Sequence, residues 1–231
     1  MNSLSRLSKL TGIGYLIIFV TGFFANFFVV ENLVVQDNPA ATFTNIADNE
    51  ALFRLGILSF FIMVMADLLL AWTLYILLQR VSQTISLLTA WFRLVNAAIF
   101  GVALFHLFNI LPLLNESRFP ELFARILLQA QVMLSLESFN HTWIIGLVFF
   151  GIHLLLLGYL VIRSDYIPGI LGYLLILAAL GYLTDSFSYL LMSDYSRYKS
   201  VFTLIVAVPG VIGELSLTLW LLFRGVKDPS E

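Results

Sequence analysis

Apolar residues in this chain come in long, nearly unbroken blocks separated by short polar breaks. The blocks cover residues 12–30, 53–78, 87–113, 140–162, 167–192 and 200–223. A helix needs about 20 consecutive apolar residues to cross a hydrocarbon core of about 30 Å. A half-buried strand alternates every second position and a soluble helix carries a single apolar stripe, and neither pattern fills whole blocks. The pattern predicts an all-α fold, a polytopic membrane bundle of six transmembrane helices forming a single integral membrane domain over residues 1–231.

The breaks refine this picture. Residues 31–50 contain Asp37-Asn38-Pro39 and the run Asn45 to Asn49, a composition that predicts a turn-rich loop. Residues 79–86 and Arg163-Ser164-Asp165 are short turns, so the second and third blocks, and the fourth and fifth, should pair as antiparallel hairpins. Pro168 suits the first turn of the fifth helix. Between the third and fourth blocks Glu121, Arg125 and Gln129 recur every four residues, opposite Leu122, Phe123, Ile126, Leu127 and Ala130. That periodicity predicts a short amphipathic surface helix over about 121–138, on the outer membrane surface or capping the bundle. A seventh, tilted span is the alternative, and it would place the two ends of the chain on opposite sides.

Arg6 and Lys9 precede the first block in the manner of a secretory leader. The block is longer than the usual ~7–15-residue apolar region of a leader and no Ala-x-Ala-like site follows it, so a retained first helix is expected. Lys and Arg in the connections set the orientation. Arg6, Lys9, Arg80, Arg163, Arg224 and Lys227 fall on one side, and Arg118, Arg125, Arg197 and Lys199 on the other. The richer side is expected to be cytoplasmic and to hold both termini.

Composition agrees with the pattern: 60% of residues are hydrophobic and 11% charged, whereas soluble domains carry about 25% charged residues. Mean hydropathy is +0.96. The net charge of −2 leaves no basic field for nucleic acid. The chain has no cysteine, which excludes disulfides, thiolate metal sites, iron–sulfur clusters and cysteine nucleophiles. Nucleotide loops, EF-hands, HExxH and GxSxG are absent, and no cofactor is implied. The partners implied are the lipid bilayer and a small-molecule or lipid ligand.

Ionisable groups inside hydrocarbon are costly, so each needs a partner or a purpose. Asp67, Arg93, His153 and Glu214 lie on four different helices at similar depth, and Asn96 stands one turn beyond Arg93. One reading is a polar cavity for binding or proton relay, with Arg93 neutralising Asp67 or Glu214 and His153 exchanging a proton. The other is a structural core that fixes helix register. Pro209-Gly210-Val211-Ile212-Gly213-Glu214 sets a helix-breaking proline just before the buried acid. A second polar layer holds Arg54, His106, Asn109, His141 and Asp185, with Arg54 as the expected partner of Asp185. His141 and His153 differ in depth by about 18 Å and cannot share an ion. No metal site is expected.

Phe53-Arg54-Leu55-Gly56, Phe92-Arg93-Leu94-Val95, Phe149-Phe150-Gly151-Ile152-His153 with Leu156-Leu157-Gly158-Tyr159-Leu160, Gly181-Tyr182-Leu183-Thr184-Asp185-Ser186-Phe187 and Gly213-Glu214 follow one another along nearly the whole chain. In that order they resemble the prokaryotic membrane-protein family known as domain of unknown function 4386. The resemblance implies the fold and a bacterial or archaeal cell membrane, and it brings no activity with it. Three functions fit these residues. They are a small transporter or membrane receptor for a small or lipid-like molecule, a non-catalytic membrane scaffold or complex subunit, and an intramembrane metal-dependent hydrolase. The hydrolase needs three metal ligands at one depth, which the histidines do not supply.

Overall fold

A computed structural model describes residues 3–114 and 125–226. The first helix, α1, is α-helical over Ser3–Phe23, π-helical over Phe24–Val30 and α-helical again over Glu31–Leu33. It is followed by α2 (Pro39–Asp48), α3 (Glu50–Leu78), α4 (Gln83–Phe108, continued by Ile110–Leu113), α5 (Arg125–Arg163), α6 (Gly169–Leu191) and α7 (Tyr195–Phe223). The described residues contain no strand. All of these helices except α2 are long and apolar enough to cross a membrane, which makes six spans. Their outer faces carry large apolar side chains in the open, such as Phe105 at 67% and Leu204 at 63% exposure. Water would not tolerate so continuous an apolar surface, and lipid requires it.

Two expectations from the sequence change. The stretch read as a loop contains the helix α2, because Asn38-Pro39 begins a helix here instead of ending one. The Asn38 side chain accepts a hydrogen bond from the Ala41 N–H at 3.0 Å, and Pro39 occupies the first turn, where its missing donor costs nothing. Thr42, Phe43 and Ile46 then form its buried stripe.

The expected surface helix is not a separate element. Residues 125–138 are the opening turns of the 39-residue α5 and run straight into the fourth span; residues 121–124 lie outside the described residues. No glycine or proline stands between Arg125 and Ile145 to break the rod. The stripe of Leu128, Val132, Leu136 and Phe139 continues unbroken across the expected boundary, each of them buried. Because the helix is uninterrupted, the described part of this segment belongs to the fourth span and is not a seventh crossing.

The described residues group into two compact units. One takes in the described residues within Met1–Ile17, Met65–Ala97 and Ile144–Glu231; the other takes in those within Ile18–Val64 and Ala98–Trp143.

The first unit packs backbone against backbone. A methyl added at Gly158 would lie 2.7 Å from the Gly172 carbonyl oxygen, and one at Gly172 would lie 2.5 Å from that of Gly158. Neither position has room for any larger residue. The end of α7 is fastened to α1 by the Ser8 hydroxyl, which donates to the Leu221 carbonyl and accepts from the Val226 N–H. Gly225, at φ 65°, supplies the left-handed turn that brings Val226 there. Outside the spans, the Tyr166 hydroxyl donates to the Leu77 carbonyl at 2.7 Å, and burial pushes its pKa up.

The second unit is built around aromatic rings. Phe100 stacks on Trp143 with centroids 3.7 Å apart, and Phe60 and Phe139 close around the same indole. The π-helical stretch of α1 brings Val29, fully buried, against Gly56, where an added methyl would meet it at 2.7 Å. Thr42 both donates to the Val35 carbonyl and accepts from the Val35 N–H, which ties α2 back to the end of α1.

Candidate functional site

The first unit encloses a guanidinium. Arg93 is wholly buried, and its Nη2 lies 2.6 Å from Asp67 Oδ1. The contact is a buried ion pair. Nη1 lies 2.9 Å from His153 Nε2 and 3.4 Å from the Tyr15 hydroxyl. The guanidinium carbon sits 5.1 Å from the centre of the Tyr15 ring and 5.6 Å from that of Phe150, so aromatic faces share the cation. Arg93 comes from α4, Asp67 from α3, His153 and Phe150 from α5, and Tyr15 from α1, and a single charge thereby joins four spans.

The histidine's tautomer follows from its neighbours. An arginine only donates, so Nε2 must accept from it. A carbonyl only accepts, so Nδ1 must carry the hydrogen that points to Thr89 O, 2.9 Å away. His153 is held neutral, with both ring nitrogens engaged. The imidazole thus bridges the Arg93 guanidinium on α4 to the Thr89 carbonyl one turn earlier on the same helix.

Of the two acids expected to compete for Arg93, Asp67 makes the contact. Glu214, on α7, is half-buried and accepts a hydrogen bond from the Tyr182 hydroxyl at 3.1 Å. Asn96 is fully buried, and neither atom of its amide has a hydrogen-bond partner among the described residues. The same holds for Arg93 Nε and for the Ser186 hydroxyl. An unsatisfied buried polar group costs about 1–3 kcal/mol, so these atoms go beyond what a register-fixing ion pair needs.

α7 stays helical through Pro209. Proline removes the donor that would have met the Ile205 carbonyl. That oxygen faces α6 at its barest point: a methyl on Gly181 would lie 2.5 Å from it. One turn beyond Pro209, Gly213 lets α7 approach the Leu174 carbonyl, with 2.9 Å to an added methyl. Close approach at these two glycines brings Tyr182 and Glu214 into contact.

The second polar layer does not assemble as expected. Arg54 pairs with Glu50 one turn earlier on its own helix, at 2.6 Å, with both side chains well exposed. Asp185 instead accepts a hydrogen bond from the Tyr195 hydroxyl at 2.6 Å. A local partner four residues away is always in reach on a helix, and here it wins over a distant one. His106 is half-exposed, and Asn109 and His141 are exposed.

Sequence reasoning missed Tyr15, Tyr182, Phe150 and the Thr89 carbonyl. The two tyrosines stand in Gly14-Tyr15-Leu16 and Gly181-Tyr182-Leu183, tripeptides that are easily taken for mere composition. Their signal is position, because tyrosines deep within a span are uncommon beside those at the membrane interface.

Six long apolar helices with large apolar side chains on their exposed faces define a multi-pass membrane protein. The chain belongs to the family described as Domain of unknown function (DUF4386), whose model matches residues 10–225. It is similar to an uncharacterized protein of the archaeon Archaeoglobus fulgidus, 33% identical over 172 residues, which cover 74% of this chain and 85% of the relative. No solved structure matches it.

Proposed function

We propose that the first unit is the binding centre of a small membrane transporter or receptor, and that a small or lipid-like molecule is engaged there through Glu214. The observation that carries this reading is the division of labour between the two acids. Asp67 is spent on Arg93, while Glu214 remains half-buried with a single phenol for company. A carboxylate in a span with no paired cation among the described residues is where a ligand's polar group or a proton has something to gain. Pro209, just before it, removes one backbone donor from the turn of α7 that precedes the same group.

A second reading, a non-catalytic scaffold or subunit, draws on the complete burial of Arg93, Asn96 and His153. Glu214→Gln separates the two. The full-length protein in detergent is screened by thermal shift against a panel of small polar molecules and short-chain lipids. On the binding reading, the variant melts within about 1 kcal/mol of the parent, since one hydrogen bond is exchanged for a similar one. It also loses the parent's ligand-induced shift. If Glu214→Gln is as damaging as the loss of Arg93, the carboxylate is a structural member and the binding reading fails.

A further inference from the structure

The second unit carries a cleft of about 830 Å³, open to the outside, lined by Phe43, Asp48, Glu50, Arg54, Phe108 and Arg125 among others. It adjoins a smaller one of about 330 Å³ lined by Arg54, Ile57, Leu58, Phe61, Phe108 and Leu111. The two share Arg54, Phe108 and Leu111, so the polar cleft passes directly into the apolar one. Arg54, Leu58 and Phe61 mark successive turns of α3, so the apolar part runs about 10 Å along the span from its first turn, at 1.5 Å per residue. Leu58, Phe61 and Phe108 are each about half-exposed there, with no apolar cover from the described chain.

We infer that this composite cleft is a binding site for a zwitterionic phospholipid, with the headgroup in the polar part and one acyl chain along Leu58 and Phe61. The charge pattern selects the headgroup. Two guanidiniums and two carboxylates line the polar part, and both signs are offered to a molecule that carries a phosphate and an ammonium a few bonds apart. Arg54 and Arg125 suit the phosphate, for which guanidinium forks are well shaped. Asp48 and Glu50 suit the ammonium. The Arg125 guanidinium lies over the Phe43 ring at 5.8 Å, which holds one phosphate-binding group against the wall of the cleft. Arg54 and Glu50 are 57% and 43% exposed, so their mutual attraction is already screened by water and a bound headgroup can compete with it. An anionic headgroup would meet the two acids unpaired, and a lipid without a headgroup would leave the guanidiniums unused. The site shares no residue with the Arg93 centre and does not depend on what that centre binds.

The test uses the full chain in detergent, with native mass spectrometry of retained lipid after equal additions of phosphatidylethanolamine, phosphatidylglycerol and diacylglycerol. Phosphatidylethanolamine is expected to be retained over the other two. The double substitution Arg54→Ala with Arg125→Ala is expected to cut its retention about ten-fold or more, the worth of one charge-assisted hydrogen bond lost. Leu58→Trp, which fills the apolar part at a half-exposed position, should reduce retention while leaving the melting temperature unchanged, and it stands in if the double variant does not fold. Preference for phosphatidylglycerol, equal retention of diacylglycerol, or retention indifferent to both Arg54→Ala/Arg125→Ala and Leu58→Trp would each overturn the assignment.

Discussion

Two arginines on spanning helices are each paired with an acid at 2.6 Å, yet the pairs have almost nothing else in common. Arg93 and Asp67 are sealed, with side-chain exposures of 1% and 4%, while Arg54 and Glu50 stand at 57% and 43%. The sealed pair joins two helices and recruits His153, Tyr15 and Phe150 around it. The open pair joins one turn to the next of the same helix. Distance alone does not tell them apart. The surrounding dielectric decides, since a charge in a low-dielectric interior is strongly bound to its partner and very costly to leave without one.

Breaking the sealed pair should have the largest effect. Arg93→Met leaves the Asp67 carboxylate and the His153 acceptor without a donor, and is expected to destabilise the protein by about 3–5 kcal/mol. Unfolding of the purified variant in mixed detergent and SDS measures it. Adding Asp67→Leu should recover most of that loss, because two apolar side chains of suitable volume replace a charged pair at little net cost. If the double variant is as damaged as the single one, the pair acts through something other than charge.

A smaller effect should separate the units by their packing. Gly172→Ala drives a methyl into the Gly158 carbonyl and should cost about 1–3 kcal/mol. Gly101, a helix glycine of the second unit, has nothing within 4 Å of an added methyl. Gly101→Ala should therefore be neutral or stabilise by up to about 1 kcal/mol through helix propensity. The same melting experiment reads both, and equal losses would contradict the packing described.

The smallest effect belongs to the open pair. Glu50→Gln should shift stability by no more than about 0.5 kcal/mol, and less still in high salt. A loss comparable to that of Arg93→Met would mean that exposure at the helix end misrepresents the pair's surroundings.

The spans were legible in the sequence because lipid demands whole blocks of apolar residues, and little else produces such blocks. The charged centre was legible for the same reason, since Asp67, Arg93 and His153 stand out against an apolar background. The choice of Asp67 over Glu214 was not legible. It depends on the rotation of α3 and α7 about their axes, which helices apolar on every side do not record. The Arg54–Asp185 pairing failed because depth was weighed and the nearer Glu50 was not. The loop assignment for residues 39–48 failed because Asn-Pro signals a helix start as readily as a turn, and only the stripe of Thr42, Phe43 and Ile46 distinguishes them. The surface-helix boundary failed because the polar period of Glu121, Arg125 and Gln129 was read as a short separate helix, although no glycine or proline between Arg125 and Ile145 ends it.

The bare contact between Gly181 and the carbonyl of Ile205 has a hereditary consequence. Proline at 209 and the missing side chain at 181 answer each other across two helices, so neither position is free to drift alone. Among descendants of a common ancestor, a side chain is expected at 181 only in lineages that have also given up the imino acid at 209, and aligned sequences of relatives would show the two changing together.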